Sequence, residues 1–93
     1  MTPNITQDVA GHRFETIVEG EHCVLDYELE HETMTITHVG VPDAVSGRGI
    51  AAALMLAALG HARARGWRVV PRCPYAAHFI DKNPEWAVLV AGS

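Results

Sequence analysis

Long apolar runs, a basic leader and a cysteine framework are all missing from this sequence of 93 residues. No stretch approaches the roughly 20 apolar residues of a membrane-spanning helix, and the N-terminus has neither a basic start nor an apolar segment. We therefore predict a cytoplasmic protein with no membrane partner. The two cysteines, Cys23 and Cys73, stand in no CxxC motif and are expected to be free thiols.

Paired metal-ligand spacing and a net positive charge are also missing. The six histidines lack the spacing typical of a metal site, so we predict no metal. A net charge of −4 gives no reason to expect a nucleic-acid partner. The length allows a single domain with a modest core, which a bound ligand or a homodimer partner would stabilise further. We assign residues 1–10 to a flexible N-terminal tail and residues 11–93 to that domain.

Charge is divided unevenly along the chain. Up to Gly47 there are nine acidic residues against one basic residue, and from Arg48 onward there are six basic residues against two acidic ones. The basic half suggests an anionic ligand, and the acidic half suits a cationic one. The alternative is that both halves form solvated faces that partly neutralise each other in the fold.

Apolar and polar residues alternate through most of the acidic half, which is typical of half-buried strands. The alternation predicts a three-stranded antiparallel meander over residues 12–18, 22–30 and 32–41. In the third strand it places Met34, Ile36 and His38 on one face.

The basic half predicts a helix, a strand and a second helix. Alanine and leucine dominate a helical stretch over about 50–65, and Gly66 is a typical helix stop. Residues 67–70 form a strand, and because a helix precedes it, the strand is expected to lie parallel to the meander. A second helix follows over 74–82. The predicted fold class is α+β, with an antiparallel meander plus a parallel strand and helices packed on the sheet.

The turn before the first helix is the most informative feature of the sequence. Gly47 and Gly49 flank Arg48 and let the backbone approach a ligand closely, and the first helix amides, at Ile50 and Ala51, have no intrahelical acceptor. Such groups suit an anion like a pyrophosphate. The Lys-Ser/Thr pair of a P-loop and the three-glycine dinucleotide fingerprint are absent. The alternative is a tight strand-to-helix connection with no ligand.

Several short motifs follow one another over about residues 12–90. They are His38, Val39-Gly40-Val41-Pro42, Gly47-Arg48-Gly49-Ile50-Ala51, Val69-Val70-Pro71-Arg72-Cys73-Pro74-Tyr75, Phe79-Ile80 and Asn83-Pro84-Glu85-Trp86. This series, with the order of the predicted elements, resembles the Gcn5-related N-acetyltransferases. The match is closer to a small, compact subgroup of that family.

The resemblance implies acetyl-CoA as the acyl donor. In that family the strand backbone, here at Val39 and Val41, meets the pantetheine, and the turn amides, here residues 47–51, hold the pyrophosphate. It further implies that Tyr75 reprotonates the CoA thiolate, although packing of the ring on the core is an alternative. Ser46 departs from the family pattern, which usually has Gln or Arg there. The chain also has no room for the elements that shape the family's acceptor pocket, so that side is open or completed by a second subunit.

Cys73 and His38 are the remaining catalytic candidates. Cys73 precedes Pro74 at the predicted cap of the second helix, where the helix dipole and Arg72 would both favour the thiolate. It also follows the parallel strand, on the side where ligands bind in α/β units. An inert buried cysteine is the alternative. His38 is a candidate base near the thioester, or a sheet histidine with satisfied hydrogen bonds.

These features predict a protein that binds acetyl-CoA and transfers its acetyl group to an amine, which no residue of the sequence identifies. The first alternative is an acyl-CoA-binding or sensing module with little or no catalysis. The second is a phosphate-binding interaction domain unrelated to CoA.

Overall fold

The structure of the chain is a computed structural model that describes residues 4–91. Within that range the backbone forms five strands, β1 (Thr6–Asp8), β2 (Arg13–Val18), β3 (Glu21–Glu30), β4 (Thr33–Gly40) and β5 (Arg68–Pro71). The described helices are α1 (Ile50–Arg65), α2 (Pro74–Lys82) and two 3₁₀ helices, Asp43–Val45 and Pro84–Leu89.

The strands form one sheet in the order β1-β2-β3-β4-β5. Strands β1 to β4 are antiparallel to one another in sequence order, and β5 is parallel to β4. The parallel pair arises because α1 carries the chain back to the start of β4 before β5 begins. The predicted α+β fold class, with its meander, parallel strand and packed helices, is confirmed.

Strand β1 corrects the assignment of residues 1–10 to a flexible tail. Thr6–Asp8 pair with β2, with Gln7 opposite Phe14. The Gln7 side-chain amide also donates a hydrogen bond to the hydroxyl of Tyr27 at 3.1 Å. The segment is polar and short, so its sequence has no strand pattern. Its conformation depends on partners supplied by β2 and β3, and residues 1–3 of the predicted tail lie outside the described range.

The core lies on one face of the sheet, beneath both helices. Helix α1 buries its apolar stripe against the inward side chains of the strands, and α2 adds its own apolar residues to the same cluster. The fully buried large side chains include Leu25, Met34, Ile36, Leu54 and Leu59. Each such side chain contributes about 1.5–3 kcal/mol when it leaves water. Because no described helix packs on the opposite face, the outward residues of the meander stay partly or fully exposed.

A β-bulge in β4 overturns one predicted face. Asp26 of β3 pairs with His38, but the next residue of β3, Tyr27, pairs with Ile36. Thr37 is therefore an extra residue in β4, and after it the alternation of side chains reverses. His38 is exposed on the outer face instead of sharing the face of Met34 and Ile36. Val39 takes the inward direction and packs against the core.

Helix α1 has the predicted ends. It begins at Ile50 and ends at Arg65, and Gly66 follows as its C-cap with φ of 72°. The Gly66 N–H reaches the carbonyls of Ala62 and Arg63, as in a left-handed helix stop. Among the described helices, none combines the length and apolar character needed to cross a membrane.

Candidate functional site

A cavity of about 270 Å³ opens beside the glycine-rich turn. Three parts of the fold meet there: the end of β4, the first turn of α1, and the first turn of α2. The lining residues are Val41, Ser46, Gly47, Gly49, Ile50, Ala51, Ala52 and Tyr75. The structure thus brings together four of the five predicted turn residues, all but Arg48, with one of the two predicted strand residues and one of the three predicted catalytic residues.

Both glycines of the turn have left-handed backbone conformations. Gly47 and Gly49 each have φ of 79°, which residues with a side chain rarely adopt. A Cβ added at either position would meet nothing within 4 Å. The turn therefore needs glycine for its backbone conformation, and the space above it is open to a ligand.

The N-terminus of α1 offers uncapped amides to that space. The Ala53 N–H donates to the Gly49 carbonyl at 3.0 Å, so the N–H groups of Ile50, Ala51 and Ala52 precede the first intrahelical bond. No side chain caps this end, and its first turn contains no acidic residue. The amides and the positive end of the helix dipole favour an anion here.

Arg48 projects from the turn and forms an ion pair across the molecule. Its guanidinium donates to the carboxylate of Glu19, in the turn between β2 and β3. This hydrogen bond and charge raise the pKa of Arg48 and lower the pKa of Glu19. Both side chains are largely exposed, so the contribution to stability is small. The acidic and basic halves of the chain meet at this contact.

Strand β4 leaves part of one edge unpaired beside the cavity. Strand β5 follows β4 only as far as Pro71, which lies opposite Ile36. From Thr37 to Gly40, β4 has no strand partner on that side within the described chain. Val39 lies in this stretch and Val41 just beyond it. Backbone groups on a free edge are available to an extended ligand.

Cys73 and Tyr75 lie at the start of α2, close to where β4 and β5 separate. Cys73 is the N-cap residue, and its N–H donates to the Ile36 carbonyl at 3.0 Å. Its side chain is only 8% exposed and belongs to the core cluster. Tyr75 lines the cavity, packs near the Phe79 ring at 6.4 Å, and has its pKa raised by burial. Tyr75 is therefore protonated at neutral pH.

His38 is not brought to the cavity. Its ring lies over Gly40 on the outer face, because a Cβ added to Gly40 would stand 2.7 Å from Nε2 of His38. Its cross-strand neighbour Asp26 binds Arg13 at 2.6 Å. A catalytic role for His38, like one for Cys73, stays a prediction of the sequence.

Sequence reasoning missed two parts of this site. Glu19, the partner of Arg48, lies 29 residues away from it, and no local pattern signals the pairing. Ala52 lines the cavity in the same uncapped turn as Ile50 and Ala51, and the run of three free amides could have indicated it. Across residues 4–91, no three His, Cys, Asp or Glu side chains are grouped so as to hold a metal ion.

The fold of this chain is similar to that of a solved protein structure. The solution structure of a GCN5-like protein from Staphylococcus aureus has a similar fold, with a TM-score of 0.78 and 22% identity, over 99% of this chain and 91% of that one. The family model described as GCN5-related N-acetyl-transferase matches residues 13–89. This chain belongs to the GCN5-related N-acetyltransferase family.

Proposed function

We propose that this protein binds acetyl-CoA at the turn formed by residues 47–51 and transfers the acetyl group to an amine. One observation carries the proposal: two left-handed glycines precede an uncapped helix N-terminus that opens into a cavity. That arrangement suits the pyrophosphate of CoA. Membership of the family supports the choice of acetyl-CoA over other phosphate-bearing ligands.

In this proposal the chain positions the donor along β4. The amides of Ile50, Ala51 and Ala52 bind the pyrophosphate, and Arg48 adds positive charge. The free edge near Val39 and Val41 offers backbone groups to the amides of the pantetheine. The thioester then lies near the point where β4 and β5 separate. Holding both reactants there removes most of the entropic barrier to their encounter.

The chemistry is direct attack by the nitrogen of a neutral amine on the thioester carbonyl carbon. The C–N bond forms, the C–S bond breaks with its electron pair leaving on sulfur, and the amine gives up one proton to solvent. Backbone N–H groups stabilise negative charge on the carbonyl oxygen. Tyr75, protonated at neutral pH, returns a proton to the thiolate of CoA and is reprotonated from solvent.

A second function, an acyl-CoA-binding module with little catalysis, is favoured by the cavity's composition. Its described lining includes no aspartate, glutamate or histidine that would deprotonate an amine. His38 faces outward and Cys73 is buried. Uniform binding of the donor would not itself accelerate transfer.

Binding and turnover measured with acetyl-CoA, CoA and pantetheine distinguish the transferase from the binding module. We expect CoA to bind more tightly than pantetheine, and salt raised from about 50 to 500 mM to weaken CoA binding, because exposed charges are screened. Incubation with acetyl-CoA and a panel of amines, followed by intact-mass analysis and a thiol-release assay, then separates turnover from binding. Thiol release that depends on an amine supports the transferase. Binding without release supports the module, and equal affinity for CoA and pantetheine contradicts both.

The predicted homodimer, the cytoplasmic location and the identity of the acceptor stay predictions. The outer face of the sheet has no helix over it within the described chain, which is compatible with an acceptor that approaches in the open.

A further inference from the structure

A second cavity, of about 210 Å³, lies at the other end of α1. Its lining includes four ring-bearing side chains and two polar ones: His12, Tyr27, His61, Trp67, Gln7 and Arg65. The two ends of this 16-residue helix are about 22 Å apart. The second cavity shares no lining residue with the one at the glycine-rich turn.

The rings around this cavity are packed against one another. His12 stacks on Tyr27 at 5.3 Å between ring centroids, and His61 meets Trp67 edge to face at 5.1 Å. Phe14 in the core joins the two pairs, at 5.7 Å from Tyr27 and 5.8 Å from His61. These separations are those of favourable aromatic pairs, so the rings are held in place before any ligand arrives.

The backbone supports the same arrangement at some energetic cost. His12 has φ of 53°, a left-handed conformation that is uncommon outside glycine. The His12 carbonyl accepts a hydrogen bond from the Tyr27 N–H at 3.0 Å, and this fixes the loop beside β3. Left-handed residues of this kind cluster at binding and active sites.

Polar atoms of three residues that line the cavity lie close together. The amide nitrogen of Gln7 lies 3.1 Å from the Tyr27 hydroxyl and 3.4 Å from Nε2 of His61. The cavity is mostly apolar and too small for a drug-sized ligand, which usually occupies about 300 Å³ or more. Its size fits one six-membered ring with a small substituent.

Charge decides which substituent fits. Arg65 lines the cavity and has no ion-pair partner within the described chain. Burial and the charge of Arg65 together lower the pKa of His61, so the positive potential of Arg65 extends to the imidazole. A bound cation would meet the same repulsion, whereas a carboxylate would be attracted. The aromatic side chains alone would favour a cation, but the charge of Arg65 makes this cavity favour an anion.

We propose that this cavity is a binding site for a small aromatic carboxylate with a single ring. The ring packs among Tyr27, His61 and Trp67, and the carboxylate meets the guanidinium of Arg65. The site is separate from the proposed acetyl-CoA site and does not depend on it.

Benzoate is the probe for a test by NMR titration of the full chain at neutral pH. We expect saturable shifts of the Trp67 indole and His61 imidazole signals with a dissociation constant of about 1 mM, which is reasonable for a ligand of this size. Benzylamine has the same ring with a positive charge, and cyclohexanecarboxylate has the charge without the aromatic ring. Both should bind more weakly than benzoate.

Matched arginine variants test the charge. Arg65→Gln should weaken benzoate binding about tenfold, as expected for loss of a hydrogen bond to a charged group. Arg72→Gln removes an equal charge outside this cavity and should leave the affinity unchanged. The proposal is overturned if benzoate gives no saturable shift at Trp67 or His61, if benzylamine binds as tightly as benzoate, or if both variants behave alike. Circular dichroism checks that each variant is folded. Gln7→Leu removes the amide that lies near the Tyr27 hydroxyl and His61, and it is a second variant expected to weaken benzoate binding.

Discussion

Alanine at Gly49 tests the proposed phosphate site directly. The added methyl group would stand in space that is open for at least 4 Å, on the residue that immediately precedes the uncapped amides of α1. We expect it to block the approach of a phosphate. Losing even one hydrogen bond between an amide and a charged oxygen costs about 1.5–3 kcal/mol, so the affinity for CoA should fall at least about tenfold.

The same substitution has a second effect that must be separated from the first. A residue with a Cβ at φ of 79° is strained by about 1–2 kcal/mol. In a domain of this size each kcal/mol lowers the melting temperature by about 4–8 °C. A loss of CoA binding alone would therefore not show that the turn touches the ligand.

Gly66 supplies the matched control at the opposite end of the same helix. It has φ of 72°, and a Cβ added there also meets nothing within 4 Å. Gly66→Ala should lower the melting temperature about as much as Gly49→Ala and leave the affinity for CoA, measured by calorimetry, unchanged. If CoA binds folded Gly49→Ala as tightly as the unaltered protein, or if both variants lose CoA equally, the phosphate site is not at this turn.

Three further predictions concern charge and protonation. Glu19→Gln should free Arg48 for the phosphates and raise the affinity for CoA up to about fivefold, because an exposed ion pair contributes no more than that. An affinity that stays the same in calorimetry would contradict a role for the Glu19–Arg48 contact. Cys73 should react with a thiol reagent faster than Cys23, because burial raises the pKa of Cys23 and leaves Cys23 with no exposed surface. CoA should protect Cys73 from the reagent. Preferential labelling of Cys23 in a peptide map would place Cys73 outside the site. Burial, followed by the charge of Arg65, lowers the pKa of His61 below its ordinary value of 6.5. As the pH falls below 6.5, the unfolded chain therefore binds more protons than the native one. The free energy of unfolding should therefore be greatest above pH 6.5 and decrease below it, and urea melts of His61→Phe should lack this part of the decrease.

Local patterns were enough to predict most of the fold. Alternation gave the three strands of the meander, and helix-forming residues followed by Gly66 gave α1 with its observed ends. The position of the glycine-rich turn before a helix was predicted because it is written in consecutive residues, and its role in phosphate binding stays a prediction. Such features depend on neighbours in sequence, which is the information that a single chain provides.

The features that were missed depend on partners distant in sequence. Strand β1 pairs through residues with no strand pattern, and the Glu19–Arg48 contact joins two loops. The bulge at Thr37 leaves no mark, because threonine fits a regular strand as well as an irregular one. The second cavity, beside the C-terminal end of α1, is lined by rings from four separate parts of the chain. His61 of α1 therefore had no neighbour in the sequence that would mark it as a lining residue.

The bulge also divides β4 into two parts, and the inward side chains have even residue numbers in one part and odd residue numbers in the other. Before Thr37 the inward side chains stand at even positions, Met34 and Ile36, and after it they stand at odd positions, Val39 within β4 and Val41 just beyond its end. The positions that tolerate polar substitution therefore change from odd to even within a single strand. Deletion of Thr37 would restore a regular strand in which His38 follows Ile36, with His38 still outward and Val39 still inward, so loss of this one codon should leave the core residues of β4 in place.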